Sequence, residues 1–379
     1  MSNRHLKSDI LSTKLPSMDY LTVVVTFILC GIGLLLLSTA SPASTQRLSI
    51  SEPFHFFHRQ LVFTLIGFVV LFATAFANRT FYTKVAYVCF IIGVALLLAV
   101  LVFGEVVNGS KRWLNILGFS IQPTELLKPF YVIVIARLMS KDDFVDNAHY
   151  VFLFHAVIAL LIVVQPDFGM AMTFTAVFFM QLLCSNLSFS SLTRYILLTS
   201  SILPLAYITL PHVRKRVALF LRPNTDQLSL GYQSTKSMLS YIKGSWFGSG
   251  LGEGKIKYQL PDSHTDYIFA VAAEEFGAIL CCVVVMLYAI VVTRGMIKAI
   301  RSTDKFCMLV IIGCIGYIAF QSIFNISVTL SILPSKGMTL PLISYGGSAM
   351  IGTCVLLGTY LNYSKQIISK KRINAHIHM

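Results

Sequence analysis

Long apolar runs separated by short polar stretches recur from one end of the chain to the other. Ten of them suit helices crossing about 30 Å of hydrocarbon. They lie near residues 20–40, 59–77, 83–103, 121–140, 149–164, 168–186, 191–209, 267–293, 306–330 and 341–363. The pattern predicts an all-α polytopic membrane protein of about ten transmembrane helices. Its one large aqueous interruption, residues 210–265, falls between the seventh and eighth runs. The chain then divides into an N-terminal tail (1–19), a transmembrane domain (20–363) that includes this loop, and a basic C-terminal tail (364–379).

Composition agrees with the pattern: 56% of residues are hydrophobic and 12% charged, with a mean hydropathy of +0.75. Soluble domains carry about a quarter charged residues, so 379 residues are read as one helical bundle. A net charge of +14 suits a protein bracketed by anionic headgroups. The chain has no basic arm, ribonucleoprotein motif or recognition-helix pattern, and nucleic acid is not expected as a partner. Its eight cysteines sit mostly inside apolar runs, where they read as small buried hydrophobes. No Cys/His spacing specifies a zinc site or a disulfide framework. The first apolar run is too long for a signal-peptide core and is expected to stay as an uncleaved span.

An even number of spans puts both termini on one side. The short loops carrying Arg79, Lys84, Lys141, Arg294, Lys298, Arg301 and Lys305 fall on that side as well. By the positive-inside rule it is cytoplasmic. The large loop then faces outward, yet it carries Arg214, Lys215, Arg216, Arg222, Lys236, Lys243, Lys255 and Lys257. Bland solvation accounts for such charges in a long translocated segment. An anionic ligand accounts for them too, because other unusual polar groups cluster on the same side.

Those groups come in a definite order. In the first outer loop, His55, His58 and Arg59 mark the water boundary. In the second, Lys111 and Arg112 flank Trp113, and an arginine fork matches phosphate oxygens as well as it snorkels to lipid headgroups. Glu125 and Lys128 stand three apart on one helix face, where charges need a partner or a wet cavity. Asp167, in the turn QPDFG, suits the cap of the next helix. The segment around Arg214 and Arg216 reads as an interfacial amphipathic helix, and the glycine-rich GSWFGSGLGEGKIKY as either a weak phosphate loop or a flexible lid. In LPDSHTDYIFAVAAEEFG, a cap at Ser263 or Thr265 would place Asp266 in the first helical turn, ionised and open to the outer water. Glu275 reads as helix-packing glue, Glu274 stays unassigned, and Gly346 and Gly347 suit close helix packing. Lys336 lies in a last outer turn fixed by Pro334, Gly337 and Pro341.

RWLNILGFSIQPTELLK, QPDFG, LPDSHTDYIFAVAAEEFG and LPSKGMTLPLISYGGS are similar, in this order, to the signature segments of the SEDS family of peptidoglycan glycosyltransferases. The LPSKG turn and the ASP…FHFFHRQ segment resemble the division branch, FtsW of the alphaproteobacterial type, rather than the elongation branch, RodA. KGSWFGSG and Ala349 depart from the usual wording without touching a charged position. The resemblance implies polymerisation of lipid II, an undecaprenyl pyrophosphate-linked disaccharide-pentapeptide, with inversion at the anomeric carbon. Asp266 is then the candidate general base. Arg112, Lys128, Lys336, Arg214 and Arg216 would stabilise the pyrophosphate, and Glu125 and His264 would join them as substrate contacts. No resident metal ligands are expected; a divalent cation, Mg or Mn, is left open as a helper. The implied partners are a class B penicillin-binding protein, other divisome proteins and membrane lipids. The implied location is the bacterial cytoplasmic (inner) membrane at the septum. Two other readings stand beside this one: a lipid II flippase whose path is lined by Glu125, Lys128 and Glu274, and a non-catalytic division scaffold.

Overall fold

Several apolar runs become helices where a short polar side chain can take the first free amides. The computed structural model describes residues 18–107, 110–116, 119–201, 230–334 and 337–377, together with 208, 214 and 218. Asp19 caps α1 (Tyr20–Arg47), Asn78 caps α3 (Arg79–Phe103), Asp167 caps α6 (Phe168–Leu183), Ser188 caps α7 (Phe189–Ser200) and Asp304 caps α10 (Lys305–Thr329). The others are α2 (His55–Phe76), α4 (Pro123–Met139), α5 (Phe144–Val164), α8 (Leu230–Gly244), α9 (Ile268–Ile300) and α11 (Gly347–Ile377). A described helix overlaps each of the ten apolar runs, and six helices are long and apolar enough by themselves to cross a membrane. α11 continues to Ile377, past the point where the sequence suggests a tail.

α10 is the central helix, packing against α9, α6, α4 and α11, with most of its residues buried. α11 lies along α2, and α3 along α4. The polar caps and ion pairs collect at two ends. At the basic end, Asp19 is buried and bonded to Arg294 at 2.7 Å and Lys298 at 3.0 Å, while Arg79 meets Asp304 at 3.1 Å. Burial alone would raise the pKa of Asp19, but the bonds from Arg294 and Lys298 hold it well below the ordinary carboxylate range.

Two features depart from the sequence pattern. Between α3 and α4 the connection is a small antiparallel meander of β1 (Glu105–Val107), β2 (Ser110–Ile116) and β3 (Phe119–Ile121), with Glu105 opposite Trp113 and Leu114 opposite Ile121. A run this short carries too little alternation to stand out beside the long spans.

The second is a break in α9. Gly277 takes φ 73°, which stops the carbonyls of Glu274 and Glu275 from finding their usual partners four residues on. The Ser245–Gly250 segment fills the gap. Ser249 N–H donates to the Glu274 carbonyl at 2.9 Å and Gly250 N–H to that of Glu275 at 3.0 Å. In return the carbonyls of Ser245 and Trp246 accept from Ala278 and Ile279. Backbone meets backbone here, so a Cβ at Gly244 would lie 1.8 Å from the Ala273 carbonyl oxygen and one at Gly248 2.1 Å from that of Glu275. Gly244 and Gly248 therefore serve close approach of backbone to backbone, a role that neither the phosphate-loop nor the flexible-lid reading gave them.

Candidate active site

The site is assembled at the end of the bundle opposite the Asp19 cluster. Asp266 belongs to a run of turns, residues 261–267, that leads into α9, whose cap is Tyr267. It therefore stands before the helix, a correction to the expected place in the first turn. Tight turns at Asp262, whose carbonyl accepts from Thr265 and Tyr267, end the helical hydrogen bonding early.

Three successive carbonyls of this strand of chain are held from outside. His264 O accepts from Tyr345 N–H at 3.0 Å. Thr265 O accepts from the Ser344 hydroxyl at 2.6 Å. Asp266 O accepts from the Asn325 side-chain amide at 2.9 Å, and the same amide donates to Met338 O at 2.6 Å. The 338–345 segment is thus bound to the 261–267 turns, and a Cβ on Gly337 would come within 3.2 Å of Asp266 Oδ2 and 3.9 Å of Arg112 Nη1. Lys336, next to Gly337, lies outside the described residues.

Arg112 reaches this place from the middle of β2. Its Nη2 donates to the Pro166 carbonyl at 2.5 Å and its Nη1 is 3.6 Å from Asp167 Oδ1. Asp167 in turn accepts from Gln122 at 3.2 Å and caps α6 through Met170 N–H at 3.3 Å, the role expected of it. Among the described residues the Nε hydrogen of Arg112 finds no acceptor.

Burial pushes the Asp266 carboxyl up to about 8; nearby Asp262 adds to the rise, Arg112 opposes it, and Asp167 adds a smaller push. Asp266 precedes the Tyr267 cap, and burial outweighs the ionising influence expected of a place inside the first turn. Burial also raises Asp262, against the influence of Arg47. His264 stacks on Phe56 with ring centroids 4.2 Å apart, and burial, helped by Arg47, lowers its pKa to about 4. At neutral pH it is an uncharged ring whose Nδ1 has no hydrogen-bond partner among the described residues.

The other candidates lie apart from this group. Glu125 and Lys128 are buried and paired at 2.5 Å, and Lys128 also donates to Gln321 Oε1 at 2.9 Å. Gln321 continues to the Thr339 carbonyl at 3.1 Å, so the pair is linked to the Met338–Leu340 turn through Gln321. Arg214 is exposed, and its guanidinium donates to Ile208 O at 2.6 Å. Arg216 and the rest of the expected amphipathic helix lie outside the described residues. Glu274 accepts three main-chain amides, from Lys255 and Ile256 at 2.7 Å and Lys257 at 3.1 Å. Glu275 pairs with Lys257 at 2.5 Å, which ties the 255–257 turn to α9 in place of the helix-to-helix contact expected of it.

Sequence reasoning missed Asp262, Ser344, Gln321 and the function of Asn325. The available signal was a polar side chain inside an apolar span, which for Asn325 and Gln321 is itself a reason to expect a task. Among the described residues, no group of three or more His, Cys, Asp or Glu side chains could hold a metal ion. The donor set offers no preformed cage, and no step below is assigned to a metal.

The arrangement can take a proton at Asp266 and hold negative charge near Arg112. A family model described as cell cycle protein, FtsW/RodA/SpoVE, matches residues 20–368. A relative from Caulobacter vibrioides named "Probable peptidoglycan glycosyltransferase FtsW" is 33% identical over 339 residues, covering 89% of this chain and 86% of its own length. The protein of the same name from Legionella pneumophila is 32% identical and covers 95% of both chains. A chain solved under the heading "Structural coordination of polymerization and crosslinking by a peptidoglycan synthase complex" superposes with a TM-score of 0.77 at 26% identity, over 93% of this chain and 98% of that one. With a matched family model over nearly its whole length, the chain belongs to the FtsW/RodA/SpoVE family, the SEDS family whose signature segments it carries.

Proposed function

We propose that the protein polymerises lipid II into glycan strands at the outer face of the bacterial cytoplasmic membrane during division. The observation that carries this is the placement of one half-buried carboxylate, Asp266, beside Arg112 and the turn bearing Lys336. Pyrophosphate departs without a proton, so a single carboxylate suffices where ordinary glycosidases use two. Asp266 takes the proton from the 4-hydroxyl of the acceptor GlcNAc as its oxygen attacks the donor anomeric carbon. The bond to the undecaprenyl pyrophosphate breaks on the opposite face, which inverts that carbon. A carboxyl with a pKa near 8 is a stronger base than a free aspartate, and matches its proton more closely to neutral working pH.

Arg112 stabilises charge developing on the leaving pyrophosphate. Lys336, Arg214 and Arg216 are proposed for the same task, on the grounds of their charge. His264 offers an uncharged ring nitrogen to a sugar or peptide group. Glu125 and Lys128 support the site from beneath, since each is engaged by the other and Lys128 by Gln321. The named heading of the solved relative couples polymerisation to crosslinking, and supports a class B penicillin-binding protein as the partner here.

A flippase path through Glu125, Lys128 and Glu274 finds less support, because all three are committed to internal bonds. The deciding experiment compares the wild type with Asp266→Ala, each with its partner, on purified lipid II, with glycan products read on a gel. Chains from the wild type and none from the folded variant establish an Asp266-dependent glycosyltransferase; equal products from both remove Asp266 from the mechanism.

A further inference from the structure

The large outer loop carries a surface whose polarity runs opposite to that of a water-facing helix. α8 buries Ser237 and Ser240, each 0% exposed, and turns Met238 and Ile242 outward. Ser237 donates to the Thr329 carbonyl at 2.6 Å and Ser240 to that of Lys236 at 3.2 Å, so the polar face is satisfied internally. Ile242 is 72% exposed, and beyond α8 the outward side continues with apolar groups: Trp246 is 66% exposed, Phe247 82% and Leu251 59%. An aqueous loop would have the reverse arrangement.

Their depth is fixed by the break in α9. The Trp246 carbonyl accepts from Ile279 N–H, which holds the Trp246–Phe247 tip level with Gly277. Gly277 lies seventeen residues from Arg294 along α9, about 26 Å at 1.5 Å per residue. Arg294 marks the basic boundary through its bond to Asp19. The tip therefore stands almost one hydrocarbon thickness, about 30 Å, from that boundary. Tryptophan and flanking lysines collect at this level in membrane proteins, and Lys243 and Lys255 are both exposed beside the tip.

We infer that the face formed by Met238, Ile242, Trp246, Phe247 and Leu251 is seated in the outer leaflet where acyl chains meet headgroups, with Lys243 and Lys255 at the lipid phosphates. The loop is then anchored to the bilayer at its middle, and its backbone bonds to α9 transmit that anchorage to the helix that follows Asp266. This rests on the orientation of the chain and not on glycosyl transfer.

The test uses one of the two tryptophans of the chain, Trp113 and Trp246. In full-length Trp113→Phe reconstituted into phosphatidylcholine vesicles, lipid brominated near the headgroup end of the acyl chain quenches Trp246 at least about twofold, more than lipid brominated near its methyl end, as an interfacial position requires. Aqueous iodide quenches it weakly. A Trp246 reached by iodide and insensitive to both brominated lipids overturns the inference. So does quenching that appears only near the methyl end, because it places the tip at the bilayer centre. The wild-type chain gives a check independent of any substitution: a lipid-soluble diazirine labels residues 246–251. Labelling there only by a water-soluble carbene, or protection that needs a bound protein partner, assigns the face to water or to that partner instead.

Discussion

The side-chain amide of Asn325 holds the main-chain carbonyl of Asp266 at 2.9 Å while it also donates to Met338 at 2.6 Å. One residue of the central helix thereby sets the distance between the proposed base and the turn that bears Lys336. Asn325→Ala is expected to lower turnover on lipid II by about 10-fold to 100-fold with little change in KM, since displacing a base by about 1 Å costs on that order. A variant with unchanged turnover would remove the positioning role.

Asp266 carries a pKa raised to about 8, so the base is mostly protonated at neutral pH and the rate climbs with pH through that value. Asp262 contributes to the rise, and Asp262→Asn is expected to move the rising limb to lower pH. Asparagine tolerates the positive φ of 54° at this position, so the turn is kept. A pH–rate profile of the two proteins checks this, and coincident limbs would contradict it.

The same shift acts on stability. The folded protein holds the Asp266 proton between the ordinary value of 3.8 and about 8, while the unfolded chain has already lost it. Stability contributed by this group is complete below 3.8 and declines as pH rises through that window. Asp266→Asn should therefore raise the unfolding midpoint in detergent, by an increment that grows from acid to mildly alkaline pH. An increment that is flat or shrinks with pH would refute the assignment.

Lys128→Met strands the buried Glu125 carboxylate, and removing one partner of such a pair costs about 3–5 kcal/mol. The double change Glu125→Leu with Lys128→Met removes both charges and should recover most of that loss. Thermal midpoints of the single and double variants, read as a cycle, distinguish this from a direct role for either charge in binding pyrophosphate.

Glu274 ties the 255–257 turn to α9 by three amide bonds, so Glu274→Ala should expose that turn to proteolysis and speed its hydrogen exchange. Exchange rates equal to the wild type at Lys255 to Lys257 would show the turn is held by other contacts.

Much of this molecule was legible in one dimension. Apolar run length determined the helical membrane architecture, because a backbone in hydrocarbon must satisfy its own hydrogen bonds. The order of the charged segments indicated Asp266, Arg112 and the Lys336 turn, because charges near apolar spans are costly and have to be used. The capping role of Asp167 follows from the same local chemistry, whereas the pairing of Glu275 with Lys257, eighteen residues away, does not.

Tertiary structure decided what depends on contacts far apart in the chain. Asn325 and Asp266 are fifty-nine residues apart, and no local pattern announces their bond. The purpose of Gly244, Gly248 and Gly277 became clear only where two backbones meet, since a missing Cβ looks the same in a phosphate loop, a lid and a helix break. The pKa of Asp266 is dominated by burial, with Asp262 and Asp167 adding to the rise, because residues distant in the chain close around a carboxylate that stands just before the helix cap.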